Sequence, residues 1–404
     1  IVGPQGYIGT YRKAHLWDQE NVFFARGDLG FPVFDTALGK IGIAICYDLR
    51  FPALYRALAE AGATILSAPA CFTKQTGEAH WHVLHRARAI ETGSFMISAA
   101  QGGRHEDGRE TFGHSLIVDP WGRILADADG AEPVSWQVGG REYIWNGDPA
   151  HWNRHAPWLF PVVGASAGGM VNVDGTAYPM GQHGFARDLP FTIVSQSDDS
   201  VTLRLIESEA TRARYPYPFQ LDITTRVGPA HLDFEIWIEN TGGTNLPYAL
   251  GFHPAFPWPF AGGERKAGGG YAVEFEHPER ALAPEVGDGG LLLRQERPFP
   301  LEGRILPLDP DLFAEAIVLR DAASARMRFT APDGSAIRMH VSDFPHLAIW
   351  TKPTAPFLSL ECWTGHADWA GFDGDLTRRD SQRLIAPGQR VRHGVSLTLE
   401  GPRS

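Results

Sequence analysis

The sequence predicts two domains of different class: a partial α/β module over residues 1–129 and an all-β sandwich over residues 130–404. Three observations carry this. A chain of 404 residues is too long for one ordinary core, because domains run to about 100–200 residues. Up to residue 126, apolar runs of strand length alternate with helical periodicity. After "ADADGAEP" (126–133) helical periodicity almost vanishes, and short alternating runs separated by Gly, Pro and Asn take over. No Ser/Gly-rich linker cushions the change.

In the first part, "KIGIAIC" (40–46) reads as a buried strand and "PALYRALAEAGA" (52–63) as a helix opened by Pro52, which suits a first turn. "TILSAPA" (64–70) is a second strand, "GEAHWHVLHRARAIETG" (77–93) a second helix, "SFMISAA" (94–100) a third strand and "HSLIVDP" (114–120) a fourth. This is α/β order. In the second part, "SVTLRLIES", "FQLDITTRV", "HLDFEIWIEN", "AIRMHVS", "HLAIWTK" and "VRHGVSLTLE" alternate with period two, as strands of a sandwich do. "PFAGGERKAGGGYAV" (259–273) is a glycine-rich loop without the order of a phosphate cradle.

Composition narrows the function classes. Apolar residues make up 43% and charged residues 21%, the balance of a globular protein able to bury a large core. A net charge of −11, with no Lys/Arg-rich run, disfavours a nucleic-acid partner. No apolar stretch approaches the ~18 residues that span a bilayer, and the start lacks the order of a signal peptide. Cys46, Cys71 and Cys362 are scattered, odd in number and without metal or redox spacing, which points to a reducing cytoplasm.

The first module carries one candidate nucleophile. A cysteine enzyme works through its thiolate, which needs a nearby positive charge or base. Cys46 ends a predicted strand, and Lys13 lies upstream in "YRKAHLWD". By itself such a cysteine is more often a small buried hydrophobe. The ordered stretches "GTYRKAHLWD", "QENVFFARGDLGFPVFDTALGKIGIAICYDLRFP", "AHWHVLHRARAIETGSF" and "GHSLIVDPWGRILAD" resemble the nitrilase (carbon–nitrogen hydrolase) superfamily. The resemblance implies an α-β-β-α sandwich and a Glu-Lys-Cys triad that attacks an amide or nitrile carbon. It makes Cys46 the nucleophile, Lys13 the oxyanion lysine, and Glu20 a support for lysine and substrate. The family's glutamate base precedes its lysine, yet none of the twelve residues before Lys13 is acidic, and Ala53 stands where a glutamate is expected. The resemblance therefore implies the later half of such an enzyme. An inactive hydrolase is expected, since loss of a general base costs about 10²–10⁴-fold. An open sheet edge and uncovered apolar face would also favour a homo-oligomer.

In the second module "PFLSLECW" sets Glu361 inside an apolar strand, where a carboxylate is costly or has a raised pKa and so is a candidate acid/base. His183 and Arg187 lie in "MGQHGFARD", and His253 precedes a proline in "ALGFHPAFPWP". Taken singly, each histidine reads as solvated. Together with "GREYIWNGDPAHWNRHAPWLFPVVG", "IWTKPTAPFLSLECWTGHADW" and "LIAPGQRVRHGVSLTLE", these stretches resemble the aldose 1-epimerase (galactose mutarotase-like) family. The resemblance implies a β-supersandwich that interconverts sugar anomers without metal or cofactor. In it Glu361 is the base, His253 the acid and His183 an orienting donor. Arg187 and Arg154 would contact a sugar or sugar phosphate, and Trp350 and Trp363 would supply a stacking face or core packing. Glu315 stands near the family's mid-domain aspartate. The expected function is a mutarotase fused to an incomplete hydrolase module. An amidase with its glutamate supplied from elsewhere, or a non-catalytic sugar-binding sandwich, are the alternatives.

Overall fold

In the computed structural model, which describes residues 1–402 except 4–5, 19, 105–108, 128–129 and 381, the chain divides into two units, residues 1–129 and 130–404. The first unit is built on β1 (Val33–Thr36), β2 (Gly39–Ile43), α1 (Pro52–Glu60), β3 (Ile65–Ser67), α2 (Lys74–Thr92), β4 (Phe95–Ser98), β5 (Leu116–Val118) and β6 (Ile124–Asp127). Its sheet runs β6-β5-β4-β3-β2-β1. The pairs β2–β3 and β3–β4 are parallel because α1 and α2 supply the crossovers that parallel neighbours need.

Pro52 opens α1, and Leu54, Tyr55 and Leu58 give it one buried face. Thr73 caps α2 by accepting from the Thr76 N–H, so this helix starts three residues before the predicted Gly77, and it ends at Gly93 with φ +64°. The predicted strand 40–46 is shorter in the structure. The strand ends at Ile43, although the Ala44 and Cys46 N–H groups still donate to Ser67 O and Pro69 O, and Cys46 begins the tight turn Cys46–Arg50 with φ +50°. Asp48 closes this turn, its carboxylate taking the Ile45 N–H at 3.0 Å.

The second unit contains β7 (Trp158–Leu159), β8 (Thr192–Gln196), β9 (Ser200–Ile206), β10 (Phe219–Gly228), β11 (His231–Asn240), β12 (Gly251–Phe252), β13 (Ala255–Pro257), β14 (Ala272–Phe275), β15 (Ile305–Pro307), β16 (Ile317–Leu319), β17 (Arg326–Thr330), β18 (Ala336–Ser342), β19 (His346–Trp350), β20 (Phe357–Trp363) and β21 (Arg390–Glu400). A nine-stranded antiparallel sheet runs β8-β9-β10-β11-β21-β18-β17-β14-β15. The second sheet runs β7-β12-β20-β19-β16, with β13 also paired to β20.

Alternation explains the layering. Every second residue of β11 is buried, from Leu232 through Phe234 and Ile236 to Ile238, so one face meets the other sheet. Trp158 stacks on Phe252 at 4.2 Å and reaches Phe234 of the large sheet at 5.6 Å, which joins the two layers. All seven residues of β20 are buried, as in a strand covered on both faces. Among the described residues no helix is long and apolar enough to cross a membrane.

Candidate active site

Strand register in the smaller sheet places the acidic candidate. On one side of β20, Phe252 lies opposite Cys362 and Ala255 opposite Ser359, so the register sets His253 across from Glu361. Pro254 has no N–H to give the ladder and marks the break between β12 and β13. On the other side, Glu361 faces Ala348 of β19, and Ala348 faces Val318 of β16. One row across the sheet thus reads His253, Glu361, Ala348, Val318. Ala348 and Val318 beside the acid are buried in an apolar cluster with Leu159, Val163, Ala249 and Trp363.

The pair is close and nearly dry. His253 Nε2 lies 3.1 Å from Glu361 Oε1, with His253 8% and Glu361 1% exposed. Trp363 donates its indole N–H to Glu361 Oε2 at 3.0 Å. Burial pushes the Glu361 carboxyl well above its ordinary value, against the smaller pull of the Trp363 bond. Burial also drives His253 down to about 3, aided by the Arg187 and Arg154 charges. Both shifts favour the uncharged form of each group. His253 Nδ1 and Ser359 Oγ, which shares a face with Glu361, are buried without a hydrogen-bond partner among the described residues.

His183 joins this pair, its ring 6.0 Å from that of His253. It occupies a turn at φ +66°. Its backbone N–H donates to Gly164 O at 2.9 Å, and its Nδ1 accepts from the Gly164 N–H at 3.1 Å. That acceptance fixes the proton on Nε2, leaving an N–H to offer a ligand. Burial keeps its pKa well below the usual imidazole value, so it stays neutral. Arg187 donates from Nη2 to Gln182 O at 2.7 Å, while its buried Nε has no hydrogen-bond partner among the described residues. Arg154 bonds Arg187 O at 3.2 Å and the Asp188 carboxylate, which makes it a clamp on the 182–188 turn.

The aromatic candidates fall in two places. Trp363 is tied to the acid itself, whereas Trp350 stands 5.5 Å from His253 in a wall with Trp152, whose ring is 4.9 Å from His253. Trp152 was not singled out in the sequence. It is held from behind by its carbonyl, which accepts from Trp145 Nε1 at 2.9 Å. The only local cue is the aromatic density of "WNGDPAHWNRHAPW" (145–158), which does not say which ring lies against His253. Glu315 is engaged elsewhere, accepting from Val286 N at 3.1 Å and lying 3.3 Å from Arg297 Nε.

In the first unit Lys13 Nζ is bonded by both carboxylate oxygens of Glu20, at 2.7 and 2.6 Å. Burial opposes ionisation of Glu20, yet the Lys13 bond holds its pKa below the ordinary value. Cys46 is half-buried, with a backbone N–H donating to Pro69 O at 2.9 Å. A strut missed in the sequence links the two regions. Asp48, two residues after Cys46 and fully buried, accepts from Tyr11 Oη at 2.7 Å and from both His15 N and His15 Nδ1 at 2.8 Å. The segment carrying Lys13 is thereby fastened to the turn carrying Cys46. No cluster able to hold a metal occurs among the described residues.

Comparison with known proteins gives two matches. Residues 128–398 match the aldose 1-epimerase family, and residues 1–135 match the carbon–nitrogen hydrolase family. The chain is 50% identical over 129 residues to the human deaminated glutathione amidase, covering 30% of this chain and 39% of that protein. The chain thus spans about two fifths of the length of that relative. A galactose mutarotase-like protein from Lactobacillus casei superposes with a TM-score of 0.63 at 29% identity, over 71% of this chain and 97% of its own. A galactose mutarotase related enzyme from Lactobacillus acidophilus gives 0.63 at 25% identity, over 72% and 95%. Two expectations are corrected. The likeness to an amidase leaves the expected inactivity of the first module without support. The hydrolase match is a domain at the N-terminal end of this chain, and the described part of it is not to be equated with the later half of a hydrolase.

Proposed function

We propose, on the premise that this chain belongs to the aldose 1-epimerase family, that residues 130–404 interconvert the α and β anomers of a sugar, with Glu361 as general base and His253 as general acid. The observation that carries the reading is their 3.1 Å approach across the β12–β20 register, with both groups nearly out of solvent. Mutarotation takes a proton from the anomeric hydroxyl and gives one to the ring oxygen, so base and acid must work together.

The reaction runs through the tautomer in which the proton between the two sits on His253 and Glu361 is a carboxylate, the form that burial disfavours before substrate is bound. Glu361 takes the hydroxyl proton while His253 protonates the ring oxygen, and the C1–O5 bond breaks to give the open-chain aldehyde. Rotation about C1–C2 presents the other face, and the reverse transfers close the ring. The total proton count returns to its start. His183 Nε2–H orients a hydroxyl, and the Trp152–Trp350 wall packs against the sugar's apolar face. Arg187 and Arg154 support the His183 turn, and Arg187 Nε is a further candidate contact. Residues 130–404 thus form the sugar-binding domain. The test is polarimetry or exchange NMR on fresh α-galactose and α-glucose. Acceleration that survives unchanged in Glu361→Gln, or no acceleration at all, would sink the reading.

A second reading, amide hydrolysis by residues 1–129, is favoured by Cys46 standing at φ +50° at the head of a turn. A side chain so placed projects from the sheet end, as nucleophiles on strained elbows do. In that reading Cys46 attacks the amide carbon, and Lys13, held by Glu20, steadies the oxyanion. Mass spectrometry after incubation with a reactive amide should then show an acyl adduct lost in Cys46→Ser. An unmodified Cys46 counts against it.

A further inference from the structure

The backbone that carries His253 is held, on the side away from Glu361, by a ladder that runs in one direction. Trp158 lies opposite Phe252 and Leu159 opposite Gly251, and the same register continues through Pro157 and His155. Their carbonyls accept from the His253 N–H at 3.1 Å and the Ala255 N–H at 2.9 Å. Pro157 and Pro254 have no N–H to give in return, and the Ala255 carbonyl accepts from the Trp145 N–H at 2.8 Å. The N–H groups of His155 and Ala156 therefore need an acceptor from outside the sheet.

Glu132 supplies it. Its Oε1 accepts from the His155 N–H and, at 2.6 Å, from the Ala156 N–H, and it lies 3.5 Å from His155 Nδ1. The Glu132 side chain is only 9% exposed, so these charge-assisted bonds stand in for most of its water. The segment leading to it is fixed against the turn that bears His183 and Arg187. The Gly130 N–H donates to Leu189 O at 2.9 Å, and a Cβ on Gly130, at φ +71°, would stand 2.8 Å from the Arg187 Cα and carbonyl oxygen. Burial and the Arg154 charge lower the Arg187 pKa, and the Asp188 and Glu132 carboxylates oppose them. Residues 130–132 thus join the two backbone segments that present His253 and His183.

We propose that Glu132 is a positioning residue for His253: by anchoring the His155–Pro157 segment it fixes the imidazole at Glu361, acting through the backbone and not on the sugar. The inference rests on His253 and Glu361 forming the anomeric site.

The experiment compares the full chain with Glu132→Gln, Glu132→Asp and Glu132→Ala, using exchange NMR on galactose and glucose and amide hydrogen exchange on the same samples. Glu132→Gln keeps an acceptor oxygen at the same reach and should stay within about threefold of the parent turnover number. Glu132→Asp keeps the charge and withdraws the oxygen by one methylene. It and Glu132→Ala should lose about tenfold to a hundredfold in turnover, with KM moving less than about threefold, as when a catalytic group is misplaced. The His253 and Ala255 N–H groups should exchange at least about tenfold faster in these two variants and as in the parent in Glu132→Gln, with Phe234 and Ile236 unchanged throughout.

A purely structural role would lower the melting temperature and leave turnover and His253 exchange of the folded protein where they were. Parent-like turnover and exchange in Glu132→Ala, or Glu132→Asp matching or exceeding Glu132→Gln, overturns the assignment. If Glu132→Ala does not fold, the order of the other two variants decides. If the parent anomerises no sugar the proposed function fails by itself, while the positioning role still stands or falls on exchange at His253 and Ala255.

Discussion

Glu361 and Cys46 both stand at the end of apolar runs, yet the two units hold them by opposite means. Glu361 is inside a fully buried strand, and its partner arrives by ladder register, His253 facing it because Phe252 faces Cys362 and Ala255 faces Ser359. Cys46 heads a turn just past its strand, and the segment bearing Lys13 is fastened by Tyr11 and His15 donors converging on one buried carboxylate, Asp48. The difference teaches where each site is vulnerable. A site made by register loses its chemistry when one group changes and keeps its fold, whereas a site made by a strut loses its geometry when the strut is cut.

The largest effect expected is on catalysis in the second unit. Glu361→Gln keeps the shape of the side chain and removes the proposed base, and the proposed mutarotation should slow about 10²–10⁴-fold. Circular dichroism should be unchanged, and a parallel loss of folded signal would break the comparison.

Next comes the strut. Asp48→Ala leaves the Ile45 and His15 N–H groups without their acceptor and should destabilise the first unit by about 3 kcal/mol, at roughly 1–3 kcal/mol for each orphaned donor. Proteolysis or hydrogen exchange should show the opening in residues 11–15 and 45–50, with mutarotation untouched. Full protection in those segments would show that Asp48 is not the fastening.

A smaller effect concerns pH. Folding raises the Glu361 pKa above the ordinary 4.5, so its carboxyl favours the folded state fully below that value and progressively less as pH climbs toward the folded pKa. Glu361→Gln has no proton to lose. Its stability relative to the parent should therefore increase by up to about 1.4 kcal/mol per pH unit in that window. Urea unfolding at about pH 5 and about pH 8 measures this, and a difference that does not change with pH refutes the buried neutral carboxyl. The smallest effect sharpens the contrast from a neutral position: Thr73→Ala removes the cap of α2 and should cost about 1 kcal/mol of first-unit stability, read from its thermal transition with Glu361 chemistry unaffected.

Much of the architecture was legible because it rests on local periodicity. The α/β order of the first part, the period-two runs of the second and the misfit of an acid in "PFLSLECW" are all short-range patterns. The turn at Cys46 was not, since "KIGIAIC" is a good strand until the Asp48 carboxylate competes for the Ile45 N–H. Trp152 was missed for a related reason: several tryptophans lie nearby, and only packing against Trp350 and Phe357 decides which one lies against His253.

The sequence by itself determined the succession of elements, the change of class near residue 130 and the kinds of groups available, because propensity and alternation act over a few residues. Only the tertiary structure decided which of those groups meet. His253 and Glu361 are 108 positions apart (361 − 253), and their 3.1 Å approach follows from how two strands are paired. A slip of one residue in that pairing would turn one of them to the opposite face.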